Sequence, residues 1–144
     1  KIATAESCTA GTLPKRLTDI PGSSEVFECG IVSYSNDIKM KLLDVSPETL
    51  DTYGAVSEQT AREMALGAKR VSGADIAIST TGLAGPGGDG VLPGGLSFVA
   101  VTDGDRVFVE KIVTGHENDR EYNRHVTATR ALNLARIMLE EKIK

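Results

Sequence analysis

Four short stretches concentrate side chains able to do chemistry: ESCTAG at positions 6–11, PGSS at 21–24, SYSNDIK at 33–39 and TTGLAGPGGDG at 80–90. In the first, Ser7 ends a strand-like run and precedes two small residues, Ala10 and Gly11, at a helix start. Such a serine is a candidate nucleophile, because N–H groups at a helix start stabilise the negative charge that develops on an attacked carbonyl. It suits an N-cap equally well. In the third stretch, Tyr34 and Lys39 lie five positions apart across a strand-to-helix junction. A lysine buried there holds its proton less tightly and can act as a base, and a nearby phenol can pass the proton or orient the amine. Together they can activate a serine hydroxyl. The plainer reading makes Lys39 a solvated helix residue like Lys41. Cys8 competes as nucleophile, but a catalytic cysteine usually needs a histidine base. His116 and His125 lie in or near the last helix, and nothing marks them as partners. Ser7 is therefore favoured.

The other two stretches read as binding elements. Ser23 and Ser24 follow Pro21-Gly22, a turn that can also lend a hydroxyl to a site. Thr80 to Gly90 carries Gly82, Gly85, Gly87, Gly88 and Gly90. Glycine lets backbone N–H groups come close to a ligand. The spacing fits neither a P-loop nor a GxGxxG fingerprint, which leaves a generic phosphate or carboxylate cradle. Arg120 and Arg124, four apart on one helix face, can clamp a phosphate bidentately or simply pair with Asp119 and Glu121 on the surface.

These residues need elements to hold them. KIATAES reads as the tail of a strand, AGTLPKRLTD as a short helix and VFECGIVSYS as a buried strand rich in β-branched and aromatic residues. NDIKMKLLD is a helix with Ser35 or Asn36 at its N-cap. Ser46 and Pro47 open another, with Gly54 near its exit. The strongest helical period is Ala61, Met64, Ala65, Ala68 and Val71, capped by Ser57 and closed by Gly73. ADIAISTTG is a buried strand. LSFVAVT and RVFVEKIVT flank an Asp-Gly turn as a hairpin. A long amphipathic helix ends the chain. Strands alternating with helices, plus one hairpin, predict a three-layer α/β/α sandwich with a mixed β-sheet including one antiparallel hairpin. In such sheets ligands sit beyond strand ends, where these four loops fall.

Length and composition bound the rest. A chain of 144 residues, 40% hydrophobic and 25% charged, suits one soluble domain spanning 1–144. Aromatics are only 4% and Trp is absent, so the core must be aliphatic and alanine-rich. The net charge of -4, without a basic cluster, argues against nucleic acid as a partner. No apolar run approaches a membrane span and no signal peptide is visible. The two cysteines, Cys8 and Cys29, have no metal-ligand spacing, so neither a metal nor a structural disulfide is expected and the compartment reads as the cytoplasm. A redox pair is the rival reading, and it requires the two sulfurs within disulfide range. The chain starts at Lys1 inside a predicted strand, and an N-terminal helix is expected to be missing.

Taken together, TAESCTAG, PGSS, SYSNDIK, YGAVSEQTAREMALGA, TTGLAGPGG and DREYNR resemble the C-terminal domain family of the competence/damage-inducible protein CinA. That family includes the stand-alone nicotinamide mononucleotide deamidase. The resemblance covers nearly the whole chain. It implies hydrolysis of the carboxamide of nicotinamide mononucleotide to nicotinate mononucleotide and ammonia, in pyridine-nucleotide recycling. It places the nucleophile on Ser7, the tyrosine and general-base lysine on Tyr34 and Lys39, a further site serine on Ser24 and a threonine on Thr81. The helix arginine implicated in substrate binding falls on Arg120 or Arg124, and Gly82 and Gly85 belong to the binding loop. No cofactor is expected, and a homodimer or higher homo-oligomer is. The chain departs from the family at Ala10, where a glycine is usual, and at Leu92 and Gly94, where lysine and valine are usual. The lost positive charge makes a non-catalytic pyridine-nucleotide-binding domain of a larger protein the alternative.

Overall fold

The computed structural model describes all 144 residues. Five strands, β1 (Ile2–Glu6), β2 (Phe27–Val32), β3 (Ile76–Gly82), β4 (Leu96–Thr102) and β5 (Val107–Val113), form one sheet in the order β2-β1-β3-β4-β5. The first three run parallel, while β4 and β5 are antiparallel, as the predicted hairpin requires. Helices α1 (Thr12–Thr18) and α5 (Arg120–Ile143) cover one face. Helices α2 (Asn36–Leu43), α3 (Pro47–Tyr53) and α4 (Glu58–Ser72) cover the other. The sheet is mixed and the architecture is the expected three layers.

The two faces are built from different side chains, and strand alternation sorts them. On β3, Ile76 and Ile78 join Val99, Val101 and Met138 under α5. The intervening Ala77 packs with Ala3, Ala5, Met64 and Ala68 under α4. Alanines on both surfaces let α4 sit close to the sheet, which is how a chain this poor in aromatics fills its core. Gly67 extends this closeness to α2: a Cβ there would lie 2.1 Å from the Leu43 carbonyl oxygen.

Caps fix the helix starts. The hydroxyl of Ser35 accepts from Ile38 N–H, that of Ser46 from Glu48 and Thr49, and that of Ser57 from Thr60. Strand β2 differs from the sequence expectation. It is an edge strand whose residues alternate between partly buried and exposed, because Cys29 and Ile31 face the core under α4 while the alternate residues face outward. Its aromatic and β-branched content signals a strand but does not signal burial on both faces.

Candidate active site

Because β1, β2 and β3 are parallel and in register, their carboxyl ends lie side by side, with Glu6 level with both Val32 and Thr80. The ladder runs one residue further: Ser7 N–H donates to the Thr80 carbonyl at 3.1 Å, and Ser33 N–H to the Glu6 carbonyl at 2.8 Å. Ser7 and Ser33 are thereby fixed on adjacent chain segments. Helix α2 then returns over this strand end. Lys39 and Leu43, four apart, form its buried face, and Lys39 is only 1% exposed.

The lysine amine meets three oxygens. Nζ donates to the Ser33 carbonyl at 2.9 Å, to the Tyr34 carbonyl at 3.1 Å and to Ser7 Oγ at 3.2 Å. No carboxylate pairs with it. Burial strips water from the ammonium and holds its pKa below the ordinary lysine value, and Cys8 opposes this only where its thiol is ionised. The two carbonyls occupy two N–H groups whatever the protonation state. In the neutral amine the remaining direction is a lone pair, and it faces the Ser7 hydroxyl. The pair is thus arranged for the serine proton to move to the lysine.

The turn carrying Ser7 is braced from three sides. Glu6 is fully buried, and its carboxylate accepts from the Thr9 hydroxyl at 2.7 Å, from Leu13 N–H at 2.9 Å and from Gly11 N–H at 3.0 Å. A strand-end carboxylate therefore caps α1, whose own cap residue, Gly11, has no side chain to do so. The Thr9 hydroxyl also bonds that of Thr80 at 2.8 Å. Across the turn, Arg124 donates from Nε to the Cys8 carbonyl at 3.1 Å and from a terminal nitrogen to the Thr9 carbonyl at 3.3 Å.

Beside Ser7 opens a cavity of about 230 Å³, lined by Ser7, Cys8, Tyr34, Arg120 and the loop from Gly82 to Gly88. Arg120 donates to the Gly85 carbonyl at 2.6 Å. Cys8 is buried, and desolvation pushes its thiol up to about 11, so near neutral pH it stays protonated and a poor nucleophile. Both cysteines are free, and Cys29 pairs with Ala3, five residues before Cys8, which removes the redox reading.

Several expected roles move. Ser24 is exposed on a 3-10 turn ahead of β2, at the opposite end of the parallel strands from Ser7, because a residue entering one parallel strand lies far from a residue leaving its neighbour. Thr81 is buried, but alternation turns its hydroxyl to the α4 side, where it donates to the Ala55 carbonyl at 2.6 Å. Arg120 is at the cavity and Arg124 is not: one helical turn further along, it serves as a strut for the Ser7 turn. The α1 start offers no free oxyanion donors at Gly11 and Leu13, since Glu6 uses both. The Tyr34 phenol makes no hydrogen bond within the chain, and its contribution to Lys39 is its main-chain carbonyl.

The glycine loop also holds a surprise. A Cβ at Gly88 would lie 1.8 Å from the Leu92 carbonyl oxygen, at Gly85 2.4 Å from that of Glu117, and at Gly94 2.3 Å from the same atom. Those glycines let the loop pack on its own backbone. Asn123 anchors it, donating to the carbonyls of Ala84 at 2.8 Å and His116 at 2.7 Å. Sequence reasoning missed Asn123. Its signal is a polar residue on the same helical face as Thr127, Ala128 and Ala131.

Fold and site together define an α/β protein carrying a buried lysine–serine pair at the carboxyl ends of parallel strands. A family model for the CinA C-terminal domain matches residues 1–139, and the chain belongs to that family. It is 49% identical over 143 residues to a CinA-like protein of Chloroherpeton thalassium, covering 96% of this chain and 34% of that protein. It is 58% identical over 101 residues to a CinA-like protein of Chlorobium limicola, covering 69% of this chain and 24% of that one. The chain thus spans about a third or less of the length of these curated relatives. Among solved structures, the competence/damage inducible protein CihA of Agrobacterium tumefaciens superposes with a TM-score of 0.89 at 43% identity, covering 93% of this chain and 82% of that one. The competence damage-inducible protein A of Klebsiella pneumoniae does so with a TM-score of 0.91 at 32% identity, covering 97% and 86%. No helix is long and apolar enough to cross a membrane.

Proposed function

We propose that this domain hydrolyses the carboxamide of nicotinamide mononucleotide, with Ser7 as nucleophile and Lys39 as general base. The observation that carries the reading is the 3.2 Å contact between a serine hydroxyl and a buried lysine amine whose other two partners are main-chain carbonyls. Ser7 attacks the carboxamide carbon and its proton passes directly to Lys39. The tetrahedral intermediate collapses, the lysine returns the proton to the departing nitrogen, and ammonia leaves an acyl-serine. Water, activated by the same amine, then releases the carboxylate product. The Cys8 amide, adjacent to the nucleophile, makes no hydrogen bond to another residue and is available to the oxyanion. Arg120, at the rim, is the cation available to the substrate phosphate. Base catalysis of this kind is typically worth about 10²–10⁴-fold.

Ammonia release from nicotinamide mononucleotide tests the proposal. Turnover should appear with the intact chain and fall at least about 100-fold in Ser7→Ala and in Lys39→Ala. Activity that survives both changes removes the assignment. A second reading, a domain that binds the nucleotide without turning it over, draws support from the threefold greater length of the curated relatives. It predicts calorimetric binding with no ammonia. A homo-oligomer in the cytoplasm is part of the same proposal, and light scattering checks the former.

A further inference from the structure

The one aromatic side chain at the cavity is Tyr34, and its ring has no assigned task. The phenol oxygen bonds neither Lys39 nor Ser7, and the side chain is 61% exposed at the cavity's edge. Lys39 already has three oxygen partners, so proton transfer from Ser7 needs no intermediary hydroxyl. The remaining lining is small or apolar: the glycines, with Leu83, Ala84 and Pro86. No carboxylate lines the cavity. The only full charge in the lining is the Arg120 guanidinium.

A substrate that places an anionic group at Arg120 and a carboxamide at Ser7 puts the ring that bears that carboxamide into the cavity whose one aromatic lining residue is Tyr34. If the ring is cationic, no acidic group in the lining can balance it, and the face of an aromatic ring is the remaining source of negative potential. We infer that Tyr34 is a specificity-determining residue whose ring face receives a planar, positively charged pyridinium carboxamide. It selects that ring over a neutral one and does not serve as an acid or base. This rests on the proposed function for the identity of the ring. The slot discriminates by ring charge, and Arg120 holds the phosphate in either case.

The test separates ring charge from everything else in the ligand. Nicotinamide mononucleotide and its reduced dihydro form share ribose, phosphate and carboxamide but differ in ring charge. Each is titrated calorimetrically into the chain carrying Ser7→Ala, which prevents turnover. The pyridinium form should bind about 10-fold tighter, within the roughly 2- to 30-fold that a cation over an aromatic face supplies. Adding Tyr34→Ala should erase that difference, and Tyr34→Phe should retain most of it, because the ring face persists. Equal binding of the two forms overturns the inference. So does a Tyr34→Phe chain that behaves like Tyr34→Ala, which would return the role to the hydroxyl, and so does failure of either form to bind. The ammonia assay keeps the two proposals apart. A charge preference dependent on Tyr34 without ammonia release sinks the deamidase and leaves the slot. Ammonia release whose KM is unmoved by Tyr34→Ala sinks the slot and leaves the deamidase.

Discussion

The ends of β1 and β2 and the loop after β3 lie at the same end of the parallel strands, the strand ends rich in hydroxyl groups and the loop in glycine, and the fold uses them differently. At the first, polar side chains converge on one another: Ser7 on Lys39, and Thr9 and the amides of Gly11 and Leu13 on Glu6. At the second, side chains are few, and at Gly85, Gly88 and Gly94 neighbouring backbone occupies the space a Cβ would need. A cluster of small and reactive residues at a strand end therefore has two physical causes, chemistry and close packing, and a buried ionisable side chain tells them apart. The lysine is buried without a counter-charge, which costs stability and calls for a functional return. The glycines carry no charge to desolvate, and Gly88 is itself exposed.

Substitutions at the two places should fail in opposite ways. Lys39→Met keeps the stem and removes the charge. It should cost at least about 100-fold in deamidation while leaving the melting temperature level or higher, since no ammonium needs to be desolvated. Gly88→Ala should do the reverse in kind, costing about 1–3 kcal/mol in chemical denaturation as the new methyl forces the Leu92 carbonyl aside. A Gly88→Ala chain of unchanged stability would show that the loop gives way easily and would break the contrast. A smaller effect sharpens it. Ala10 adopts φ +43, a left-handed conformation that the family's usual glycine takes without strain. Ala10→Gly should therefore stabilise the chain by up to about 1 kcal/mol, readable as a higher denaturation midpoint, and the exposed methyl has no other role to lose.

How much of this the sequence discloses depends on range. The hairpin, the capped helices and the α4 face follow from neighbours a few residues apart, and they stand where the pattern puts them except at Val71, which the last turn of α4 leaves exposed. The candidate pair is legible only in part: Ser7 sits just past a recognisable strand, but spacing alone leaves Lys39 a solvated helix residue like Lys41, and the family resemblance is what singles it out. Three things are not. Whether Thr80 or Thr81 faces a given side depends on strand parity, and a run of hydroxyls hides its own phase. Which arginine reaches the cavity depends on where α5 crosses the sheet, which no local signal sets. That Glu6 caps α1 is invisible because the cap comes from the strand and not from the position before the helix. Ser24 illustrates the limit of carrying roles by motif, because the chain's own geometry puts it at the wrong end of the strands for Ser7.

The central claim is that Lys39 is a buried amine ready to take the Ser7 proton, and its titration tests this without any substrate. The lowered pKa has a defined sign. Between the folded and unfolded values the unfolded chain binds more protons, so stability should rise with pH across that window and lie lowest below it, where a buried ammonium must be carried. The activity limb should rise through the folded value, the lower edge of that window, as the amine becomes free to act. The measurement is the pH dependence of the Lys39 side-chain carbon resonance in protein labelled at lysine, assigned with Lys39→Met. The account predicts a titration clearly below the usual lysine value; a midpoint at or above that value would leave Ser7 without a base.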